Sequence, residues 1–375
     1  MAHYNLYEDR LRANLEKIAD VAAAADVTVI LALKAFAFYP AFGIIGEYLT
    51  GATASSLNEA RLIREHFGRP AHVYAPAYRP AEYDEVQRLA GHLTFNSLSE
   101  LERYRDRWAG SDVSVGLRVN PEYSPVETEL YNPGARDGRL GETLPNLPAK
   151  PPAGLRGLHV HTLCESTAAQ TATLIERTRA QFGHYLEQVE WLNLGGGHLM
   201  TREGYDTDAL IETLRALRKR YPHLAVILEP GSAHVWQAGD LHATVLDVVE
   251  NYGQRTLMLD VSFTCHMPDT LEMPYRPVVR GAHPTAGHHR YTYPYRLGGM
   301  SCLAGDYLDN YWFPQTVRPG DTLVFEDMMH YTTVKSTMFN GVPHPDIRLV
   351  DAAGAVTYAG TFGYRAYEAR MGGEG

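Results

Sequence analysis

Eight short apolar runs recur along the first two-thirds of the chain, and most are followed by a stretch of helical periodicity. They are "TVILALKA", "GATASS", "HVYAPA", "LTFNS", "SVGLRVN", "LRGLHVHTL", "EWLNLGGG" and "AVILEPGS". Runs this short, apolar without strict alternation, are what a strand needs when both of its faces are covered. Between them, "SLNEARLIREHF" and "SLSELERYRDRW" each open on a serine placed to cap a helix. "TAAQTATLIERTRAQFGHYLEQV" and "DTDALIETLRALRKRY" place apolar residues at helical spacing. Strand and helix alternating eight times over about 220 residues predict an α/β chain, a (β/α)8 TIM-like barrel. One connection breaks the pattern: residues 121–154 form a long Pro/Gly-rich loop, a length that is uncommon without a function.

After Ser232 the character changes. Tyr, Pro, Gly and β-branched residues dominate, as in "DLHATVLDVVE" and "DTLVFEDM", and turns recur at short spacing. This predicts a second, C-terminal all-β domain over residues 236–375, with the barrel over 9–235. The opening "HYNLYE" is expected to add residues 1–8 to the β domain as a strand.

The bulk composition narrows the function. The 375-residue chain is long enough for two cores, and its formal net charge is −10. An acidic surface disfavours nucleic acid and anionic membranes and suits a small cationic ligand. No apolar run reaches the length of a membrane span, and no secretory signal opens the chain. Cys164, Cys265 and Cys302 lie far apart, without a CxxC pattern or a disulfide framework, which fits a reducing cytoplasm.

In a parallel barrel, chemistry sits at the C-terminal ends of the strands. There the sequence places Lys34 (first strand), Arg118 (fifth), His161 (sixth), Gly195, Gly196 and Gly197 (seventh) and Glu229 (eighth). An ammonium ending an apolar strand either snorkels to water or, once desolvated, becomes an amine nucleophile. Five strand ends with unusual residues on one rim favour the nucleophile. An amine that bonds covalently to a carbonyl suggests pyridoxal 5'-phosphate. That cofactor needs a tethering amine, an anion cradle, an acid at the pyridine nitrogen and a flat group against its ring. Lys34, the glycine turn, Glu229 and His161 match these needs. A rival uses His159 and His161, two apart on one strand face, as ligands in a metal-dependent barrel hydrolase, with Asp260, His330 or the residues 287–289. No characteristic metal spacing supports it, so no metal is expected.

The motifs "LALKAF", "HTLCE", "EPGSA", "HMPDTLEMPYRP", "CLAGD" and "MMHYTTVKSTMFNGV" make the chain resemble the fold-type III pyridoxal-phosphate decarboxylases, whose fold is that of alanine racemase. Within them it is most similar to the carboxynorspermidine (carboxyspermidine) decarboxylases. The resemblance spans nearly the whole chain. It implies that Lys34 tethers the cofactor, Glu229 meets the pyridine nitrogen, His161 stacks on the ring and Arg118 lies beside them. It also implies that the 195–197 turn, Gly231, Ser232 and Tyr331 hold the phosphate, and that Cys302 returns a proton in the other subunit's site of a homodimer. Asp260, Asp306, Glu165 and Glu272 are the acids expected along a cationic carboxylated triamine, with Arg276 near one of them or near the substrate carboxylate. Thr53, Ser232 and Leu303 stand where ornithine decarboxylases carry an aspartate, an arginine and an acid, which argues against ornithine. Other decarboxylases of the class, acting on diaminopimelate, ornithine or arginine, are the alternatives.

Overall fold

The computed structural model describes residues 1–373, which divide into two compact units, 12–234 and 1–11 with 235–373. The division falls within the first helix, Glu8–Ala25.

In the first unit, eight parallel strands close on themselves. Around the ring they are Thr28–Val29 continued by Leu31–Ala32, then Ala52–Ala54, Ala71–Tyr74, Ala90–Phe95, Ser114–Arg118, Gly157–His159, Trp191–Asn193 and Ala225–Leu228. The first strand closes the barrel by turning to both neighbours. Thr28–Val29 pairs with the eighth strand and Leu31–Ala32 with the second. Between them Ile30 donates its N–H to Leu228 O at 2.9 Å.

The expected caps are formed. Ser56 and Ser97 accept the N–H groups of Glu59 and Glu100 at the helices Leu57–Leu62 and Leu98–Arg103, an interaction that contributes about 1 kcal/mol each. The helix Ala168–Leu186 opens on a capping box, Thr167 with Gln170. Asp206 caps Thr207–Arg220, whose last turn carries Arg218, Lys219 and Arg220 against the negative end of the helix dipole. The 121–154 loop has two single 3₁₀ turns, and side chains tie it down. Gln181 donates to Pro121 O at 2.7 Å and Tyr185 to Pro148 O at 2.8 Å.

Trp191 fills the barrel beneath the rim. Its ring lies flat across the fifth and sixth strands, where only hydrogen fits: a Cβ on Gly157 would fall 2.0 Å from the ring. Its Nε1–H donates to Ser114 Oγ at 2.8 Å. Gly157→Ala therefore overpacks a layer with nowhere to move. We expect a loss of about 1–3 kcal/mol, read as a melting temperature lower by several degrees in a thermal scan.

The second unit holds an eight-stranded sheet. Its order is Tyr307–Phe313, Tyr293–Gly298, Gln254–Leu259, Gly239–Asn251, His3–Tyr7, Asp346–Val350 and Val356–Gly360, with Thr322–Phe325 also paired to Gly239–Asn251. The N-terminal strand sits inside the sheet, antiparallel to one neighbour and parallel to the other. The unit is not purely β. Short helices occupy Phe263–His266 and Asp269–Glu272, and a longer one Tyr364–Met371. The last is exposed almost throughout, so it lacks the apolar stripe that sequence periodicity detects. No helix among the described residues is long and apolar enough to cross a membrane.

Candidate active site

Lys34, His161, Gly195, Gly196, Gly197 and Glu229 converge at one end of the barrel, because each follows the C-terminal end of its strand. Lys34 Nζ lies 2.8 Å from His161 Nε2. The other nitrogen of that ring, Nδ1, accepts the N–H of Gly196 at 2.9 Å. An atom that accepts carries no proton, so the neutral imidazole holds its proton on Nε2. Nε2–H then donates to Lys34, and only an uncharged amine has the lone pair to accept it. Electrostatics agree. Burial pushes the lysine below its usual range, against the pull of Glu229, and burial beside Lys34 pushes His161 well below its own. The rim thus holds a neutral primary amine, the nucleophilic form.

Glu229 is 5% exposed. Burial alone would raise its carboxyl, but the donors around it outweigh that and hold it well below the usual carboxylate range. His159 Nε2 lies 2.9 Å from Oε1, and Asn193 Nδ2–H donates to Oε2 at 2.9 Å. His161 Nδ1 stands 3.5 Å from Oε1. Arg118, 3% exposed, fixes the sixth strand end by donating Nη2–H to His161 O at 2.7 Å. Its guanidinium lies 4.8 Å from the Tyr74 ring centre, and its Nε has no partner among the described residues.

The glycine turn does less than its sequence suggests. Gly195 donates its N–H to Asn193 Oδ1 at 2.8 Å and Gly196 donates to His161, so two of the three amides are used within the protein. Among the described residues no acceptor meets the Gly197 N–H, and Gly197 is the half-buried member of the three. Its φ of +89° and the 2.4 Å approach of a Cβ to Leu163 C leave room for glycine alone. Gly231, before the turn of helix Ser232–Val235, is held as closely: its Cβ would lie 2.3 Å from Ala35 Cβ.

Glu165 is exposed on the loop after the sixth strand, with a φ of +43°, a costly conformation for a residue with a side chain. Sequence reasoning missed three groups here. Glu59, on the helix after the second strand, is a half-buried carboxyl within electrostatic reach of Lys34, and it accepts the Ser55 N–H at 2.6 Å. Its place in a capping motif disguised it. Asn193 was legible as the polar break in "LNL". Tyr74 read as an ordinary strand aromatic.

The remaining expected residues belong to the second unit. Cys302 is exposed, and its N–H donates to Asn340 Oδ1 at 2.7 Å. Tyr331 is half-buried with φ +54°. Asp306 needs a correction. It is 3% exposed, and its carboxylate accepts three backbone N–H groups, from Phe263, Thr264 and Ser301, so it fastens the chain rather than facing a ligand amine. Asp260 likewise accepts the Thr244 N–H at 2.6 Å. Glu272 and Asp269 both pair with Lys335. Arg276 pairs with no acid among the described residues: it donates to the carbonyls of Asp309 and Asn310 and covers the Tyr311 ring.

The donor atoms of His159, His161 and Glu229 lie within 4.8 Å of one another, the grouping the metal rival requires. Asp260, His330 and the residues 287–289 are not part of it. Its His161 nitrogen already receives a backbone N–H.

Comparison with known proteins resolves the rivalry. The sequence profile of the family described as "Pyridoxal-dependent decarboxylase, C-terminal sheet domain" matches residues 18–329. The carboxyaminopropylagmatine decarboxylase of Synechocystis sp. is 50% identical over 368 residues, 98% of this chain and 94% of that protein. The carboxynorspermidine/carboxyspermidine decarboxylase of Campylobacter jejuni is 38% identical, covering 98% of this chain and 97% of its own. The crystal structure of carboxynorspermidine decarboxylase complexed with norspermidine, from Campylobacter jejuni, superposes with a TM-score of 0.91 at 36% identity over 99% of both chains.

Proposed function

We propose a substrate and a set of residue roles from one premise: the chain belongs to the pyridoxal-dependent decarboxylases, in the carboxynorspermidine/carboxyspermidine decarboxylase family. Its activity is a pyridoxal-phosphate-dependent decarboxylation in polyamine biosynthesis, on a polyamine-type substrate. The residues fit that cofactor. The neutral Lys34 amine, the charged Glu229 behind it and the Gly197 amide without an acceptor supply a tether, an acid for a ring nitrogen and a donor for a phosphate.

When bound, pyridoxal phosphate takes up the electron pair left as carbon dioxide departs. The chain's own residues do the rest. Lys34 would hold the cofactor through its amine, which His161 Nε2 meets at 2.8 Å. Glu229 keeps a negative charge where a protonated ring nitrogen needs one, and His161 presents its ring face. Arg118 holds His161 by its carbonyl. Gly197, Gly231, Ser232 and Tyr331 are the phosphate ligands in this reading. Cys302 Sγ delivers a proton to the carbon that lost its carboxylate, and Glu165 and Glu272 meet the distal cations.

Cys302 acts in a partner's site. Exposed Met300, Leu303, Tyr307 and Phe339 in the same unit support a homodimer that covers them. Three cysteines, none in a disulfide among the described residues, support a cytoplasmic location.

The substrate of the first reading is carboxynorspermidine or carboxyspermidine. The observation that carries it is the Lys34 amine 2.8 Å from His161 Nε2 at the rim of a chain of this family. A second reading, carboxyaminopropylagmatine, is favoured by the 50% identity to the Synechocystis enzyme. The two substrate types differ in the distal cation, an ammonium against a planar guanidinium that pairs with a carboxylate through two hydrogen bonds. Carbon dioxide release, measured on all three with ornithine and diaminopimelate as controls, ranks them. We expect kcat/KM on the preferred carboxylated aminopropyl substrate to exceed that on either control by about 10³-fold or more, since a site built for a polar arm rejects a ligand without it. Turnover of ornithine or diaminopimelate alone would overturn the assignment.

A further inference from the structure

The acid at the rim does not stand alone. Behind Glu229 the barrel interior carries polar side chains where such barrels usually carry aliphatic ones. His159 is 1% exposed and Asn193 5%. They approach Glu229 from two adjacent strands and take one oxygen each, His159 Nε2 at 2.9 Å from Oε1 and Asn193 Nδ2 at 2.9 Å from Oε2. Asn193 Oδ1 in turn accepts the Gly195 N–H, and the Glu229 N–H donates to Gly195 O at 2.8 Å. Clamp and glycine turn therefore share one hydrogen-bonded frame. Since Glu229 is charged, His159 must donate to it, which puts the proton on Nε2. Its Nδ1 is buried without a partner among the described residues. The Tyr74 ring meets His159 edge-on at 5.1 Å and blocks rotation on that side.

A histidine two residues before His161 with no place in the reaction reads as a satisfied core residue. The geometry points to more: we propose that His159 is a positioning residue for Glu229, donating Nε2–H to Oε1 so that the carboxylate stays charged and fixed in direction, with Asn193 restraining the other oxygen. It acts through Glu229 and touches neither substrate nor cofactor. The inference rests on the reading that Glu229 serves the cofactor's ring nitrogen.

Two replacements separate the hydrogen bond from the ring. In His159→Gln the side-chain amide falls where Nε2 was and can still reach Oε1. In His159→Asn it falls where Nδ1 was and leaves Oε1 without a donor. For each variant, kcat and KM for the preferred substrate are measured, and the apoenzyme is titrated with pyridoxal phosphate by quenching of tryptophan fluorescence. His159→Asn is expected to lose at least about tenfold in kcat and about tenfold in cofactor affinity, with KM within about threefold, the size of losing a hydrogen bond to a charged group. His159→Gln should restore both to within about threefold of the wild type. Equal impairment of the two variants, or wild-type behaviour of His159→Asn in both assays, would overturn the proposal. A measurement on the wild-type apoenzyme guards against misfolded variants: ¹⁵N spectra of the histidine rings should show His159, assigned by the peak absent from His159→Gln, protonated on Nε2. A proton on Nδ1 overturns the proposal as well. Glu229→Gln is the control. If it keeps both cofactor affinity and turnover, the underlying reading of Glu229 fails. If it loses them while His159→Asn does not, the inference alone fails.

Discussion

Replacing Lys34 with alanine is expected to lower kcat by roughly 10³-fold or more and to end covalent capture of the cofactor. Borohydride treatment of the loaded wild type should leave the cofactor's mass on the peptide containing Lys34. The same peptide from Lys34→Ala should carry none. Lys34→Arg should fail in the same way, since a guanidinium keeps its charge at any workable pH and cannot accept a proton donor as the amine accepts His161 Nε2–H. Stability should move in the opposite direction. The folded pKa of Lys34 is lowered, chiefly by burial, so the unfolded chain binds a proton there that the folded chain does not. That difference penalises folding at every pH below the ordinary lysine range. Lys34→Met, which fills the space without the amine, should therefore melt at or above the wild-type temperature as apoenzyme. An unaltered turnover in Lys34→Ala would refute the assigned role.

The second large effect concerns acid. Desolvation holds down five histidines outside the rim: half-buried His72 is lowered to about 3, and half-buried His92 and buried His198, His234 and His266 to about 4. In the unfolded chain these rings take up protons as the pH falls through the usual histidine value of 6.5, whereas in the folded chain they resist until about 4. Across that window the unfolded state holds more protons, so stability is fully present above 6.5 and is lost as the pH falls. Each ring held at about 4 contributes a loss of about 2 kcal/mol between pH 7 and pH 5. Together they approach the whole stability of a typical domain, about 5–15 kcal/mol. The stacked pair His72 and His92, with ring centres 4.0 Å apart, adds like-charge repulsion once either ring is protonated. We expect unfolding followed by circular dichroism to show a midpoint near pH 5, and a His72→Gln, His92→Gln double variant to shift it lower. A wild-type protein still fully folded at pH 4 would contradict this account.

Both expectations show what was legible beforehand. The barrel could be read because its strands are covered on both faces and stay apolar along their length, so any interruption stands out. Lys34, His161 and Glu229 are such interruptions, and the structure brings them together. Ser56 and Ser97 were readable because a cap is a local device, settled within four residues. What the sequence conceals is which way a polar group faces. Asp306 in "CLAGD" looks like an acid awaiting a cation, yet three backbone amides from two separate segments take its oxygens, and those segments lie far apart in sequence. Gly195 and Gly196 look like free donors until Asn193 and His161 are found accepting from them. Glu59 was overlooked for the converse reason: a glutamate three residues after a capping serine has a local explanation that suffices on its own.

The strand His3–Tyr7 lies between Gly239–Asn251 and Asp346–Val350 in its sheet. Both partners follow the barrel strands in sequence, so during synthesis this strand must wait, unpaired, at least until Gly239–Asn251 has emerged. Residues 12–234 find all their strand partners among themselves and can form their ring of strands meanwhile. The sheet unit, by contrast, depends on pairing His3–Tyr7 with Asp346–Val350, contacts far apart in sequence, and so should be the slow step of maturation and the one most exposed to aggregation.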